Sequence, residues 1–267
     1  PSYLAISEDN KFLYCHTELD ESENPKVKAY QIKEDFSLAF LNEQAIKGSY
    51  PCHLKKYKHH VLVACYYSGN VLQFPLDTAG KLLPSKINYY HEGASINKAR
   101  QEAPHAHQVA VHPNKKDIYI CDLGIDTIKA YRFEDEVLVP NQEKDCTLSK
   151  GGGPRHLVFI TIGTLAYVLN ELTGHISVLL NDDHSFREID TYHTLPNDYK
   201  GVPSSSAIRI HPNGKWLYAA NRTLEAITIF SITGNKLELI DYQYTKGKEL
   251  REFNITPNGK WLMAHWK

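Results

Sequence analysis

The sequence predicts an all-β protein, a β-propeller of four-stranded antiparallel blades, and three observations carry that expectation. A short apolar stretch followed by a turn recurs along the chain, beginning at Ser2, Cys52, His107, Arg155, Ser206 and Arg251 in steps of 50, 55, 48, 51 and 45 residues; a period of that length is one blade. The composition, with 17 Tyr, 9 Phe and 3 Trp in 267 residues, favours strands. No stretch with helical periodicity competes, apart from 92–101, expected as a short helix or an excursion loop.

The fifth repeat shows the elements most plainly. Residues 207–211 alternate, Asn213-Gly214 supplies a hairpin turn, and 215–220 form a second short strand. A loop leads to 227–232, a turn at Thr233-Gly234-Asn235 and a fourth strand over 237–244. Asn and Gly suit such turns because they accept the positive φ that a tight hairpin demands. His112-Pro113-Asn114 and Asn258-Gly259 repeat the punctuation. At this period the 267 residues make five to six blades of a single propeller domain spanning 1–267, expected to be truncated at both ends. Seven blades would need roughly 350 residues, and six or eight are alternatives.

Thirty basic against 31 acidic residues provide no broad field for nucleic acid or an anionic membrane surface. No run of about 18 apolar residues occurs, so no transmembrane helix is expected. The five cysteines, Cys15, Cys52, Cys65, Cys121 and Cys146, show neither CxxC spacing nor a zinc pattern. They read as reduced thiols of a cytoplasmic protein. Residue 1 is Pro and the sole methionine is Met263, so the absence of a leader in this sequence carries no weight.

Two phases of the repeat collect polar residues. The first holds Ser2, Cys52, His107, Arg155, Ser206 and Arg251; the second, one residue beyond the second strand, holds Glu18, Tyr67, Leu123, Glu171, Arg222 and Lys267. If one strand descends from a face and the next returns to it, both phases meet at one mouth of a central channel. His107, Arg155, Glu171, Arg222 and Arg251 are thereby the candidate site. Other signals are weaker. His105 and His107 form an H-x-H pair without an evident third ligand, so no metal is expected. Gly151-Gly152-Gly153 lacks the following Gly-Lys-Ser/Thr of a phosphate loop and suits a bend or a close approach. No G-x-S-x-G elbow exists.

The chain resembles the lactonase family of seven-bladed β-propellers through Gly153-Pro154-Arg155-His156, Tyr167 to Leu172, the Asn221-Arg222 pair that closes 211–222, and Arg251-Glu252-Phe253-Asn254. The resemblance implies hydrolysis of a sugar lactone, 6-phosphoglucono-δ-lactone foremost, as in the pentose phosphate pathway, without metal or organic cofactor. It places catalytic roles on His107, Arg155, Glu171 and Arg222, and substrate binding on Arg251, His105, His156, Asn170 and Asn221. Leu250 stands where the family carries Pro. Glu171 or His107 would be the general base, Arg155 or Arg222 the oxyanion partner, and the remaining guanidinium with Arg251 the phosphate clamp. Glu171 beside two arginines is expected to be ionised. A lactonizing cycloisomerase and a non-catalytic binding platform remain open alternatives, and oligomeric state is not legible.

Overall fold

Short apolar runs punctuated by Gly, Asn and Pro fold as antiparallel strands along the whole chain. The computed structural model describes residues 3–182 and 184–266. Ser2 and Lys267, placed in the two repeat phases above, lie outside the described residues. The first sheet contains β1 (Leu4–Ile6), β2 (Phe12–His16), β3 (Lys26–Ile32) and β4 (Leu38–Ala45). The second contains β5 (Pro51–Tyr57), β6 (His60–Cys65), β7 (Asn70–Pro75) and β8 (Ile87–Tyr90). The third contains β9 (Ala106–Val111), β10 (Asp117–Asp122), β11 (Thr127–Glu134) and β12 (Val137–Pro140), with β13 (Cys146–Thr147) added on the start of β11.

The fourth sheet is β14 (Pro154–Phe159), β15 (Leu165–Asn170), β16 (His175–Asn181) and β17 (Phe186–His193); the fifth is β18 (Ser205–Ile210), β19 (Trp216–Asn221), β20 (Ala226–Thr233) and β21 (Lys236–Tyr244). β22 (Leu250–Ile255) and β23 (Leu262–Trp266) pair as a two-stranded sheet. Strand order follows chain order in every sheet, the meander of a propeller blade. The 92–101 stretch is a loop rather than a helix. It is tied down from within the first unit, where the buried Gln101 side chain donates to the Leu123 carbonyl at 2.9 Å.

The chain divides into two compact units, one of residues 1–111, 116–125 and 130–141, the other of 112–115, 126–129 and 142–267. In the first, β6 explains why blade strands read as unbroken apolar runs. Val61, Val63 and Cys65 pack with Tyr14, Val27 and Leu54, while Leu62 and Ala64 pack with Val109, Ile118 and Ile120. Successive side chains of a strand point to opposite faces, and each face here meets a neighbouring blade. In the second unit the same division holds for β19, with Leu217 and Ala219 against Tyr167 and Val178, and Ala220 against Leu250 and Phe253. Burying each large aliphatic side chain is worth about 1.5–3 kcal/mol.

The recurring His-Pro has a mechanical role in this second unit. His112 Nδ1 accepts from the Asn114 N–H at 3.2 Å while Nε2 meets the Gly163 carbonyl at 2.9 Å. His211 repeats the arrangement with the Asn213 N–H at 3.2 Å and the Gly259 carbonyl at 3.1 Å. Each histidine closes its own turn and hydrogen-bonds the glycine turn of a further hairpin. The glycines are required there: a Cβ on Gly163 would lie 2.5 Å from the His112 ring, and one on Gly259 2.6 Å from His211.

Candidate functional site

The first repeat phase corresponds to a single backbone device. In β5 the pairing passes from Pro51 to His53 while its partner advances one residue, leaving Cys52 as the extra residue of a β-bulge. The same slip isolates His107 between Ala106 and Gln108, Arg155 between Pro154 and His156, and Arg251 between Leu250 and Glu252. In β18 it falls between Ser205 and Ile208, across Ser206 and Ala207. A bulge re-aims a side chain that regular pleating would send into a blade interface. Among the described residues, those of the first phase are therefore the ones released from the ladder.

The second phase needs a correction in two repeats. β2 ends at His16 and β6 at Cys65, so the residues that follow are Thr17 and Tyr66, not Glu18 and Tyr67. Blades ending in Asp122, Asn170 or Asn221 announce the turn by an Asx side chain, and the first two blades lack one. Asn221 shows what that residue does: its Oδ1 accepts from the N–H groups of Thr223 and Leu224, both at 3.0 Å. Asn170 Nδ2 donates to Ser177 Oγ at 2.8 Å. Asn221 is thus engaged in its own turn and Asn170, through Nδ2, in its own blade, while Asn170 Oδ1 is buried without a hydrogen bond.

In the second unit, Arg155, Glu171 and Arg222 come together. Glu171 Oε2 lies 3.0 Å from Arg155 Nε and 3.0 Å from Arg222 Nη2. Arg155 and Glu171 are only 3% and 5% exposed. The contact with Arg155 is an ion pair without a well-directed Nε hydrogen bond. The guanidinium is held instead through Nη1, which donates to the Ser206 carbonyl and faces His156 Nε2 at 3.2 Å. His156 Nδ1 is 4.0 Å from Glu252 Oε2, and Glu252 Oε1 accepts from Arg209 Nη2 at 2.8 Å. A chain of alternating partners thus runs from Arg209 to Arg222. Burial lowers the Arg155 pKa to about 10; Glu171 opposes the fall, Arg222 and Arg251 add to it, and Glu252 opposes it. At neutral pH Arg155 stays charged.

The triple glycine positions this group. Asp126 accepts the N–H of Gly151 at 2.6 Å and of Gly153 at 2.8 Å. Gly151 and Gly153 adopt φ of 85° and 69°, a region open mainly to glycine. The Gly153 carbonyl then takes the Glu171 N–H at 2.8 Å. A loop shaped like an anion cradle is here filled by the protein's own carboxylate, and it sets the backbone on both sides of the Arg155–Glu171 pair. Beside Arg222 a cavity of about 190 Å³ is lined by Ser204, Arg222, Thr223, Glu249 and Arg251. The two guanidiniums suit an oxyanion, with Glu249 opposing them from the same wall and the Thr223 hydroxyl already donating to Val202 and Asn221.

The remaining candidate histidines, His105 and His107, sit in the first unit. His105 Nδ1 meets the Tyr66 carbonyl at 2.9 Å, its Nε2 lies 3.4 Å from Glu102 Oε1, and its own N–H donates to Asp122 Oδ1 at 2.7 Å. Its ring stacks on Tyr66 at 4.5 Å, and His107 meets the same tyrosine edge-on at 5.9 Å. Tyr66, rather than its neighbour Tyr67, holds the phase position, and the strand end at Cys65 is the signal that marks it. Among the described residues no group of three or more His, Cys, Asp or Glu is arranged to hold a metal ion.

A sequence profile described as "Lactonase, 7-bladed beta-propeller" matches residues 1–266. The 6-phosphogluconolactonase of Bacillus subtilis is 32% identical over 271 residues, covering 99% of this chain and 76% of that protein. A crystal structure of a candidate 6-phosphogluconolactonase from Bacteroides fragilis superposes with a TM-score of 0.93 at 32% identity, over 100% of this chain and 77% of the other. The periplasmic gluconolactonase of Pseudomonas aeruginosa gives 0.92 at 24% identity, over 99% and 77%; that likeness speaks for the fold alone.

Proposed function

We propose that this chain, which belongs to the lactonase family of seven-bladed β-propellers, hydrolyses a sugar lactone, with 6-phosphoglucono-δ-lactone as the first candidate. The observation that carries the reading is Glu171 between Arg155 and Arg222, with the second of these lining an arginine-walled cavity. That cavity is smaller than the ~300 Å³ at which sites for whole drug-sized ligands begin. An anionic head group is of a size to enter it, and Arg222 with Arg251 would take a phosphate there against the single opposing charge of Glu249.

In the reaction, water adds to the lactone carbonyl, the ring C–O bond breaks, the ring oxygen takes a proton and the product is a hydroxy acid. Glu171 and His107 are the two candidate bases for the attacking water, a role worth about 10²–10⁴ in rate. The developing oxyanion needs a fixed donor, for which Arg155 and Arg222 are the candidates, each loss costing about 10²–10³. No step calls for a metal or an organic cofactor. All five cysteines are buried and none forms a disulfide, which favours a cytoplasmic site of action.

The test is acid release from 6-phosphoglucono-δ-lactone at neutral pH above the spontaneous rate, with Arg155→Ala/Glu171→Gln beside the wild type. Acceleration lost in the double variant supports the reading. An unaccelerated wild-type reaction rules out this lactone, and full activity in the double variant rules out this site.

A further inference from the structure

A second cavity, of about 400 Å³, opens in the first unit and is lined by Glu18, Asp20, Tyr50, Tyr66 and Tyr67. None of these five residues has a role in the proposed hydrolysis, although Tyr66 packs on His105 and His107. Tyr66 stands directly after β6, at the repeat position that carries Glu171 and Arg222 in later blades. Its plane is fixed by the stack on His105, with ring planes 9° apart, and by Arg100 Nη2 donating to its phenol oxygen at 3.0 Å. Tyr50 and Tyr67 form a wedge, their rings 5.7 Å apart and inclined at 57°. Both present exposed aromatic surface, 40% and 62% accessible.

Asp20 separates two kinds of ligand. Its Oδ1 accepts from the Ser22 N–H at 3.0 Å and the Ser22 hydroxyl at 2.7 Å, and its Oδ2 accepts from the Ser49 hydroxyl at 3.0 Å. These hydrogen bonds, led by that of the Ser22 hydroxyl, hold the carboxyl below its usual range. It keeps its charge at neutral pH while most of its acceptor capacity is taken. A neutral polyol, which needs open acceptor oxygens, gains little from such a group. A cation gains from its field and from the exposed rings of Tyr50 and Tyr67 together, whereas Arg100 at the Tyr66 phenol oxygen repels it on that side. Glu18 adds a second carboxylate to the wall.

We propose that this cavity binds a small organic cation of the alkyl- or quaternary-ammonium class. The proposal does not depend on the hydrolase reading, since the residues varied to test it have no role there. The probe is tetramethylammonium, titrated at constant ionic strength and followed by tyrosine-ring NMR shifts, with tert-butanol and methyl glucoside as uncharged controls. Saturable binding of tetramethylammonium alone is expected. Tyr67→Ala and Glu18→Gln should each weaken it about three- to five-fold, while Tyr67→Phe, which keeps the ring face, should retain it. Circular dichroism of each variant separates lost binding from lost folding. Absence of saturation, equal binding of either neutral control, or a Tyr67→Phe loss as large as that of Tyr67→Ala would overturn the proposal.

Discussion

Replacing Glu171 by Gln preserves the shape of the side chain and removes the charge shared by two guanidiniums. Both partners approach the same oxygen at 3.0 Å, and Arg155 is buried with it. Burial has already drawn the Arg155 pKa down to about 10 against the pull of Glu171. Without that carboxylate the remaining acidic influence on Arg155 is Glu252, which acts at longer range from beyond His156, 4.0 Å from that ring. Removing one partner of a buried pair costs about 3–5 kcal/mol. Gln can still accept a hydrogen bond, which sets the expectation at the lower end, about 3 kcal/mol. At about 2–4 °C per kcal/mol for a chain of this size, Tm should fall by about 6–12 °C. Calorimetry reads that fall, and lactone hydrolysis in the same samples, held well below Tm, should drop by about 10²–10⁴ if Glu171 is the base. The double variant Arg155→Met/Glu171→Gln removes the stranded buried cation and should regain at least about half of the lost stability without regaining activity. A single variant that melts within about 1 °C of the wild type, or a double variant whose loss equals the sum of the singles, would refute the coupling argued here.

Three further outcomes are expected. Arg251→Ala should raise KM for a phosphorylated lactone by about 10–100-fold and leave an unphosphorylated one nearly unchanged, since one charge-assisted phosphate contact is worth about 1.5–3 kcal/mol; equal effects on both substrates would remove Arg251 from the phosphate clamp. His16 is fully buried, and burial lowers its pKa from 6.5 to about 4. Between those values the unfolded chain binds the proton more tightly, so this contribution is complete above pH 6.5 and is lost as pH falls towards 4. About 3 kcal/mol is involved, and urea midpoints of His16→Leu should change less than those of the wild type across this window; parallel curves would contradict it. Gly124→Ala should destabilise by at least about 1–3 kcal/mol, because its Cβ would lie 1.8 Å from the Ala103 carbonyl oxygen. Amide exchange at His105, whose N–H is held by Asp122 in the same turn, should quicken; unchanged exchange and stability would show that the segment yields freely.

Much of the architecture was legible because it is written in local chemistry. The fifth repeat was read as strands over 207–211, 215–220, 227–232 and 237–244, and β18 to β21 occupy those stretches within a residue or two. Gly214 and Gly234 take φ of 72° and 60° in the turns assigned to them. Glycine, asparagine and proline act on their own φ and ψ, so their signals survive without knowledge of what packs nearby. The second phase slipped in the first two blades for the same reason, since no Asx residue marks the ends of β2 and β6.

The period, the blade grammar and the set of polar residues that recur in phase follow from the order of the amino acids. What each of those residues does follows from the strands packed against it. That Cys52, His107, Arg155 and Arg251 are bulged residues depends on cross-strand register, which no single strand encodes. Asn170 and Asn221 lie beside Glu171 and Arg222 in the chain, yet their amides serve blade and turn, whereas Glu171 joins arginines 16 and 51 residues away in sequence. Turn preference is a property of one residue and its neighbours. An ion pair between blades exists only where packing brings two strand ends within a few ångströms and excludes the water that would otherwise screen them.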